Sequence, residues 1–341
     1  MPSRPPQRPR SDSRRAKRAR VRTLGLLFVG AASIVAFNYP TAVAALVLPR
    51  PAAPEAAIAT PEAAGISHSV DLTVALPGDP VRMPMDIGPD SAGLRYEWVA
   101  VGDTVVPVYS LPFDSARLYA PAKPGFYHLA LVRDTAQTVL DTPTLAVMVP
   151  FDEERGGEIN GYRIGTYRGE RHAGDAHPEG FLAVEPQDVD LPVSAHLRVS
   201  DFITHDAQQD RWPKYVALRP RLLDKIELVL AELQRATGRS TPIALDLDVH
   251  SGFRTPLYNR TVPRAADDSR HQYGDAADIA LDANGDGRID ARDVQAIAEA
   301  VDRVEAMHPE LTGGLGLYTS RRYPTPYVHI DTRGERKRWR G

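Results

Sequence analysis

The chain of 341 residues contains no cysteine. That absence excludes thiolate zinc sites and disulfides, so any bound zinc must be held by His, Asp or Glu. It also suits an exported protein. A formal net charge of −3 gives neither sign an overall excess, but the balance differs along the chain. Residues 1–22 carry nine basic side chains against Asp12 alone, leaving 32 basic and 43 acidic residues on the remainder. A basic tail of this kind fits either nucleic-acid binding or membrane topology. The next stretch favours topology: Thr23 to Leu48 is almost wholly apolar, and basic residues stay on the cytoplasmic side of such a segment. No nucleic-acid partner is expected, and most of the chain is expected beyond the cytoplasmic (inner) membrane.

A spanning helix needs roughly 20 apolar residues, and 23–48 supplies that length for a single-pass anchor. Asn38-Tyr39-Pro40 interrupts it, and Ala42-Val43-Ala44 reads as a small-residue cleavage site, so a removed signal segment is the alternative. The long basic region favours the uncleaved anchor. Arg14-Arg15 makes a poor twin-arginine signal, because Lys17 stands where an apolar residue is expected. Residues 49–65 form a Pro/Ala-rich linker, extended and semi-rigid.

Across 66–150 short alternating apolar runs are broken by Pro, Gly and Asp, as at Val70–Val74, Leu94–Val99, Val105–Tyr109, Gly125–Val132 and Leu145–Val149. This spacing predicts a small antiparallel sandwich, an all-β domain; Trp98 in a mid-domain strand resembles the core Trp of immunoglobulin-like folds, a likeness of architecture only. No constellation of acids, bases or ligands falls there, which points to a spacer or binding module.

Residues 151–341 read as an α+β domain. Residues 151–217 are irregular, with a short strand pair expected over Gly161–Tyr167. His172, His177, His196 and His205 lack paired spacing, so surface or substrate contacts are expected of them rather than metal ligation. A helix is predicted from Arg219 to Ala236, with Leu222, Ile226, Val229 and Leu233 on one face and Gly238 near its end. Ile243 to Val249 alternates and predicts a strand, followed by a loop from His250 to Pro256. Ala276–Leu281 is the next expected strand, and Ala291–Met307 a helix burying Val294, Ile297, Val301 and Val304. A hairpin of 313–318 and 327–331 closes the domain, with Trp339 packed back on it.

Two stretches carry chemistry. In Ser269 to Asp278, His271 and Asp278 are seven apart with Gly274 between them, so a tight turn can bring both to one point. In Tyr327-Val328-His329-Ile330-Asp331, residues 327, 329 and 331 share one face at the strand period. Two imidazoles and a carboxylate form a ligand set for a catalytic zinc with one position left open. Separately, Asp282 to Asp293 matches a twelve-residue calcium loop. Asp282, Asn284, Asp286, Asp290 and Asp293 offer side-chain oxygens, Arg288 its carbonyl, and Gly287 the sharp turn. It departs at Asp293, where a bidentate Glu is usual. The alternative is an Asp/Gly turn capping the next helix.

Ser251-Gly252-Phe253-Arg254-Thr255-Pro256 with Asn259, Ser269-x-His271-x-x-Gly274-x-Ala276-x-Asp278, and Val328-His329-Ile330-Asp331 together resemble the zinc D-alanyl-D-alanine carboxypeptidase and murein endopeptidase family. The hedgehog signalling domain shares that fold. The likeness covers roughly 190–341. It implies an α+β zinc peptidase domain with a small antiparallel sheet and flanking helices. By resemblance, His271, Asp278 and His329 bind zinc, Arg254 lies by the substrate, and the substrate is a peptidoglycan stem peptide. The chain departs where many members place a Glu three residues before the last zinc His, or a His two before it: Pro326 and Tyr327 stand there. Asp331 is then either the general base or a residue that orients a ligand, and Tyr327 is a candidate oxyanion donor. Carboxypeptidase and endopeptidase action both remain open, as does a non-catalytic cell-wall binding role.

Overall fold

The computed structural model describes residues 69–82, 93–102, 111–113, 118–171, 177–238, 242–320 and 322–341. The expected basic tail, anchor or signal segment and linker over 1–65 lie outside the described residues. Among the described residues, no helix is long and apolar enough to cross a membrane.

The first part is a two-layer β structure. Strands β1 (Leu72–Ala75), β2 (Pro80–Val81), β3 (Arg95–Ala100), β4 (Leu111–Pro112), β5 (Leu118–Tyr119), β6 (Gly125–Arg133) and β7 (Ala136–Val147) make a five-stranded sheet ordered β1-β7-β6-β3-β4 and a two-stranded β2-β5 ladder. Val81 and Leu118 from the ladder pack with Tyr96, Leu129, Leu145 and Val147 from the sheet. The expected antiparallel character is broken at one edge, because β1 pairs parallel to the second half of the long β7. Trp98 does not lead the core: Tyr96 is buried while Trp98 is partly exposed, its indole N–H donating to the Tyr119 carbonyl at 2.7 Å.

This part shares its core with the C-terminal portion of the chain. Leu72, Phe126, Ala146 and Met148 pack in the same apolar cluster as Phe181, Leu222 and Phe253. Strand β8 (Val149–Pro150) continues directly into a three-stranded sheet with β11 (Gly180–Val184) and β12 (Lys214–Val216). Between them, β9 (Glu158–Ile159) and β10 (Tyr162–Arg163) form a hairpin turning at Asn160-Gly161, both at positive φ. The expected pair at 161–167 is therefore displaced toward the N-terminus.

Helix α1 (Pro220–Thr237) lies one residue further along the chain than expected at each end, and stops on Gly238 in the left-handed region. Leu222, Ile226, Val229 and Leu233 are buried, as their spacing requires. Helix α2 (Ala291–Met307) packs beside it and buries Val294, Ile297, Val301 and Val304. Each such apolar side chain contributes about 1.5–3 kcal/mol on leaving water. The predicted strand over 243–249 forms only at its end, at Asp248 and Val249. Ile243–Asp246 makes a 3₁₀ turn, and β13 covers Asp248–Ser251. Ile243 and Leu247 are buried four residues apart, so the run satisfies a helical spacing as well as an alternating one, and the core selects the helical one.

The last sheet carries the site. Strands β13, β14 (Ala276–Ala280), β15 (Gly314–Tyr318), β16 (Tyr327–Asp331) and β17 (Lys337–Arg340) are ordered β13-β14-β16-β15-β17. Strands β15 and β16 form the expected closing hairpin, and β17 returns parallel to β15, bringing Trp339 opposite Gly316.

Candidate metal centre

Strands β14 and β16 pair antiparallel with Asp278 directly opposite His329, so both side chains stand on one face. His271 reaches the same point from a 3₁₀ turn, Arg270–Tyr273, stopped by Gly274 at φ 70°. A β-carbon on Gly274 would overlap the Ala217 backbone, so both its conformation and its packing require glycine.

The three residues form a nearly equilateral triangle of acceptor atoms. His271 Nε2 lies 3.2 Å from Asp278 Oδ1 and 3.1 Å from His329 Nδ1, and His329 Nδ1 lies 3.1 Å from Asp278 Oδ1. The outer ring nitrogens fix the tautomers. His271 Nδ1 donates to the Gly252 carbonyl at 2.7 Å, and His329 Nε2 donates to Asp331 Oδ2 at 3.0 Å. In a neutral ring each inner nitrogen presents a lone pair; burial opposes the charged form of His329, but its bonds to Asp278 and Asp331 outweigh burial and raise its pKa. Burial also pushes the His271 imidazole below its ordinary pKa, which keeps it neutral. Two lone pairs and a carboxylate oxygen at this separation repel one another unless a proton or a metal cation joins them. A tetrahedral ion bound at about 2.0–2.1 Å sets its ligand atoms roughly 3.3–3.4 Å apart, close to the spacing found. His271, Asp278 and His329 are thus a buried group able to bind a metal ion, and the one such group among the described residues.

Polar contacts behind the triangle hold it in place. Asp331 is fully buried behind His329. Its Oδ1 accepts from the Gly314 amide at 2.7 Å and the Arg333 amide at 3.1 Å, and the Arg333 guanidinium spans both oxygens. Burial opposes its charge, but the bonds from His329, Arg333 and Gly314 outweigh burial and lower its pKa. The carboxylate is thus directed at the His329 ring and away from the triangle, which is the orienting geometry of the two considered for it. Below, Lys225 on α1 is also fully buried. It donates to the Asp331 carbonyl and to Glu305 on α2, each at 2.7 Å, and Glu305 also accepts from Arg338 on β17.

Arg254 donates to Asp278 Oδ2, and its Nε donates to Ser251 Oγ at 2.7 Å. Its partners are therefore the Asp278 carboxylate and the Ser251 hydroxyl. Tyr327 stacks on Tyr318 at 4.5 Å with Tyr323 edge-on at 5.4 Å, forming an aromatic wall beside the triangle. Burial raises its phenolic pKa, so the O–H remains in place at neutral pH. Trp339 joins this wall, donating to the Tyr318 hydroxyl at 2.9 Å with its ring 5.1 Å from His329.

The acidic loop after β14 folds on its own amides. Asp282 accepts from Gly285, Asp286 and Gly287, Asn284 accepts from Asp286, and Asp286 accepts from Arg288. Asp290 and Asp293 form the capping box of α2, and Asp293 also accepts from Ala283 and Asn284. The helix-capping contacts expected of an Asp/Gly turn are thus formed. His172 lies outside the described residues. His177 stacks on Phe151, and His196 pairs with Glu227 at 2.7 Å, so neither enters the triangle, nor does His205.

Sequence reasoning missed Gly252, Lys225, Arg333 and Gly314. Lys225 had a signal: it stands three residues after Leu222 and four before Val229, on the apolar face of its helix. The others act through backbone groups or as a neighbour of Asp331, and no spacing marks them. No family model, curated protein or solved structure matches this chain.

Proposed function

We propose that the protein is a zinc-dependent peptidase that cleaves peptidoglycan stem peptides or cross-links outside the cytoplasmic membrane, tethered there by residues 23–48. In this reading residues 66–150 are an immunoglobulin-like spacer. The convergence of one ring nitrogen each from His271 and His329 with a carboxylate oxygen of Asp278 is the observation that supports it most. A zinc ion held there supplies an acidified water and a polarised scissile carbonyl. The chain's own groups do the rest. Arg254 fixes the second oxygen of Asp278 and lies where a substrate carbonyl or carboxylate approaches. Tyr327 offers its O–H to the developing oxyanion, and Asp331 fixes the His329 tautomer. Calcium is the second proposed ion, at Asp282–Asp293, with a bracing role.

The test is a digest of purified muropeptides by zinc-loaded protein, with and without a chelator. Chelator-sensitive trimming of monomeric stem peptides marks a carboxypeptidase, and loss of cross-linked dimers an endopeptidase. A second reading, a non-catalytic metal-containing cell-wall binding protein, draws on the engagement of both Asp331 oxygens, which removes one candidate base. Zinc-loaded protein that is inert on every muropeptide yet binds sacculi saturably would establish it.

A further inference from the structure

Both Asp331 oxygens are engaged, and the same face of the sheet carries another candidate base. The ladder between β13 and β14 pairs Val249 with Ile279 and Ser251 with Asp278, so one residue of β13, His250, is extra. Such a bulge re-aims a side chain, and bulges are common beside active sites. Here it turns His250 to the face of Asp278 and His329, where its ring lies 5.5 Å from that of Tyr327 on β16. The two strands are separated by β14, and the rings meet across it because the intervening residue on that face is Ala280, opposite Asp248. A methyl group there leaves the space that a larger side chain would fill. Rows on one face of a strand repeat every two residues, about 6.5–7 Å apart. Tyr327 therefore lies in the row next to Asp278–His329, and the unpaired His250 packs against it.

We propose that His250 is the proton-transfer residue of this site, with Asp248 as its orienting partner. This rests on the peptidase reading above. His250 Nε2 lies 3.3 Å from Asp248 Oδ2, and its side chain is 28% exposed, open to a substrate. Nε2 is the ring nitrogen that faces Asp248, which leaves Nδ1 for proton transfer. Nδ1 takes one proton from the attacking water as its oxygen bonds to the peptide carbonyl carbon. The same proton passes to the amide nitrogen as the C–N bond breaks, and the ring returns to neutral. The second water proton leaves the new carboxyl group, so the products are a carboxylate and an ammonium. The charged and titratable groups around His250 are Asp248 on its own strand, Tyr327 on β16, and Asp278 with Arg254 in the neighbouring row.

Two measurements on the full chain test this. Loading with Co²⁺ should shift and broaden the His250 imidazole NMR signals, assigned by their loss in His250→Gln, and His329→Ala should abolish the effect. His250→Gln should keep its zinc content and melting temperature while kcat on a muropeptide falls about 100-fold or more, and added imidazole should restore part of the rate in His250→Ala. Signals unmoved by Co²⁺, or a His250→Gln variant as active as the parent, overturn the proposal and leave the peptidase reading standing. A parent protein inert on all muropeptides overturns both.

Discussion

His329 and Asp331 stand two residues apart on one face of β16, and the imidazole Nε2 donates to the carboxylate at 3.0 Å while its Nδ1 faces Asp278. The tautomer of the metal-facing nitrogen is therefore set by a residue that does not itself reach the triangle. Asp331→Asn keeps the shape but weakens the acceptor and removes the charge that Arg333 neutralises. It is expected to lower metal affinity by about 10–100-fold. Competition with a chromogenic chelator measures this, and an unchanged dissociation constant would show that the ring is oriented by other means.

Lys225 connects the core helices to that arrangement. Its ammonium is 0% exposed and bonded to Glu305 and to the Asp331 carbonyl. Lys225→Met leaves Glu305 with Arg338 as its remaining cation, and breaking a buried pair from one side costs about 3–5 kcal/mol. The lower end is expected, because Arg338 stays. Urea denaturation should show the loss, and Lys225→Met combined with Glu305→Gln should recover part of it.

How much of this was legible depends on which forces act locally. Helices α1 and α2 were readable because Leu222, Ile226, Val229 and Leu233, and Val294, Ile297, Val301 and Val304, repeat at the helical period. The ligand trio was readable because Gly274 marks the turn and the strand period aligns 327, 329 and 331. The run at 243–249 misled because a short stretch fits two periods and tertiary packing decides. The parallel pairing of β1 with β7 and the bulge at His250 depend on partners far along the chain. No local pattern could supply those.

Gly316 lies opposite both His329 and Trp339, and a β-carbon there would come within 2.5 Å of the indole nitrogen. Gly316→Ala must push Trp339 off the His329 ring, since the β15 backbone is held on both sides. Overpacking of this kind costs about 1–3 kcal/mol. A lower melting temperature with a more solvent-exposed tryptophan emission is expected. Trp339→Phe, which removes the N–H to Tyr318 but keeps a ring, should lower the melting temperature less.

Glu232 joins the two helices through Arg235 on its own helix and Arg303 on α2. Hydrogen bonding from Arg235, then from Arg303, outweighs burial and lowers its pKa to about 2. A carboxyl whose folded pKa is depressed contributes stability above its unfolded value, near 4.3, and that stability is lost as pH falls toward the folded value. The urea midpoint of the parent protein should therefore approach that of Glu232→Gln between about pH 4.3 and pH 2. A constant gap between them across that range would show that the arginines do not favour the ionised form.

The acidic loop separates its two roles by position. Asp293 is fully buried and bonds three backbone amides, those of Ala283, Asn284 and Asp290. Asp286 is more exposed and bonds the Arg288 amide and the Arg292 guanidinium. Capping alone requires Asp293→Ala to cost about 1–2 kcal/mol and Asp286→Ala little, at any calcium concentration. Calcium binding adds a different signature: millimolar calcium should raise the melting temperature of the parent, and Asp286→Ala should abolish the rise. Because Asp282 comes just after the strand that carries Asp278, the same variant should also release zinc more readily to a chelator. Melting that calcium does not change in the parent would leave the loop as a helix cap and nothing more.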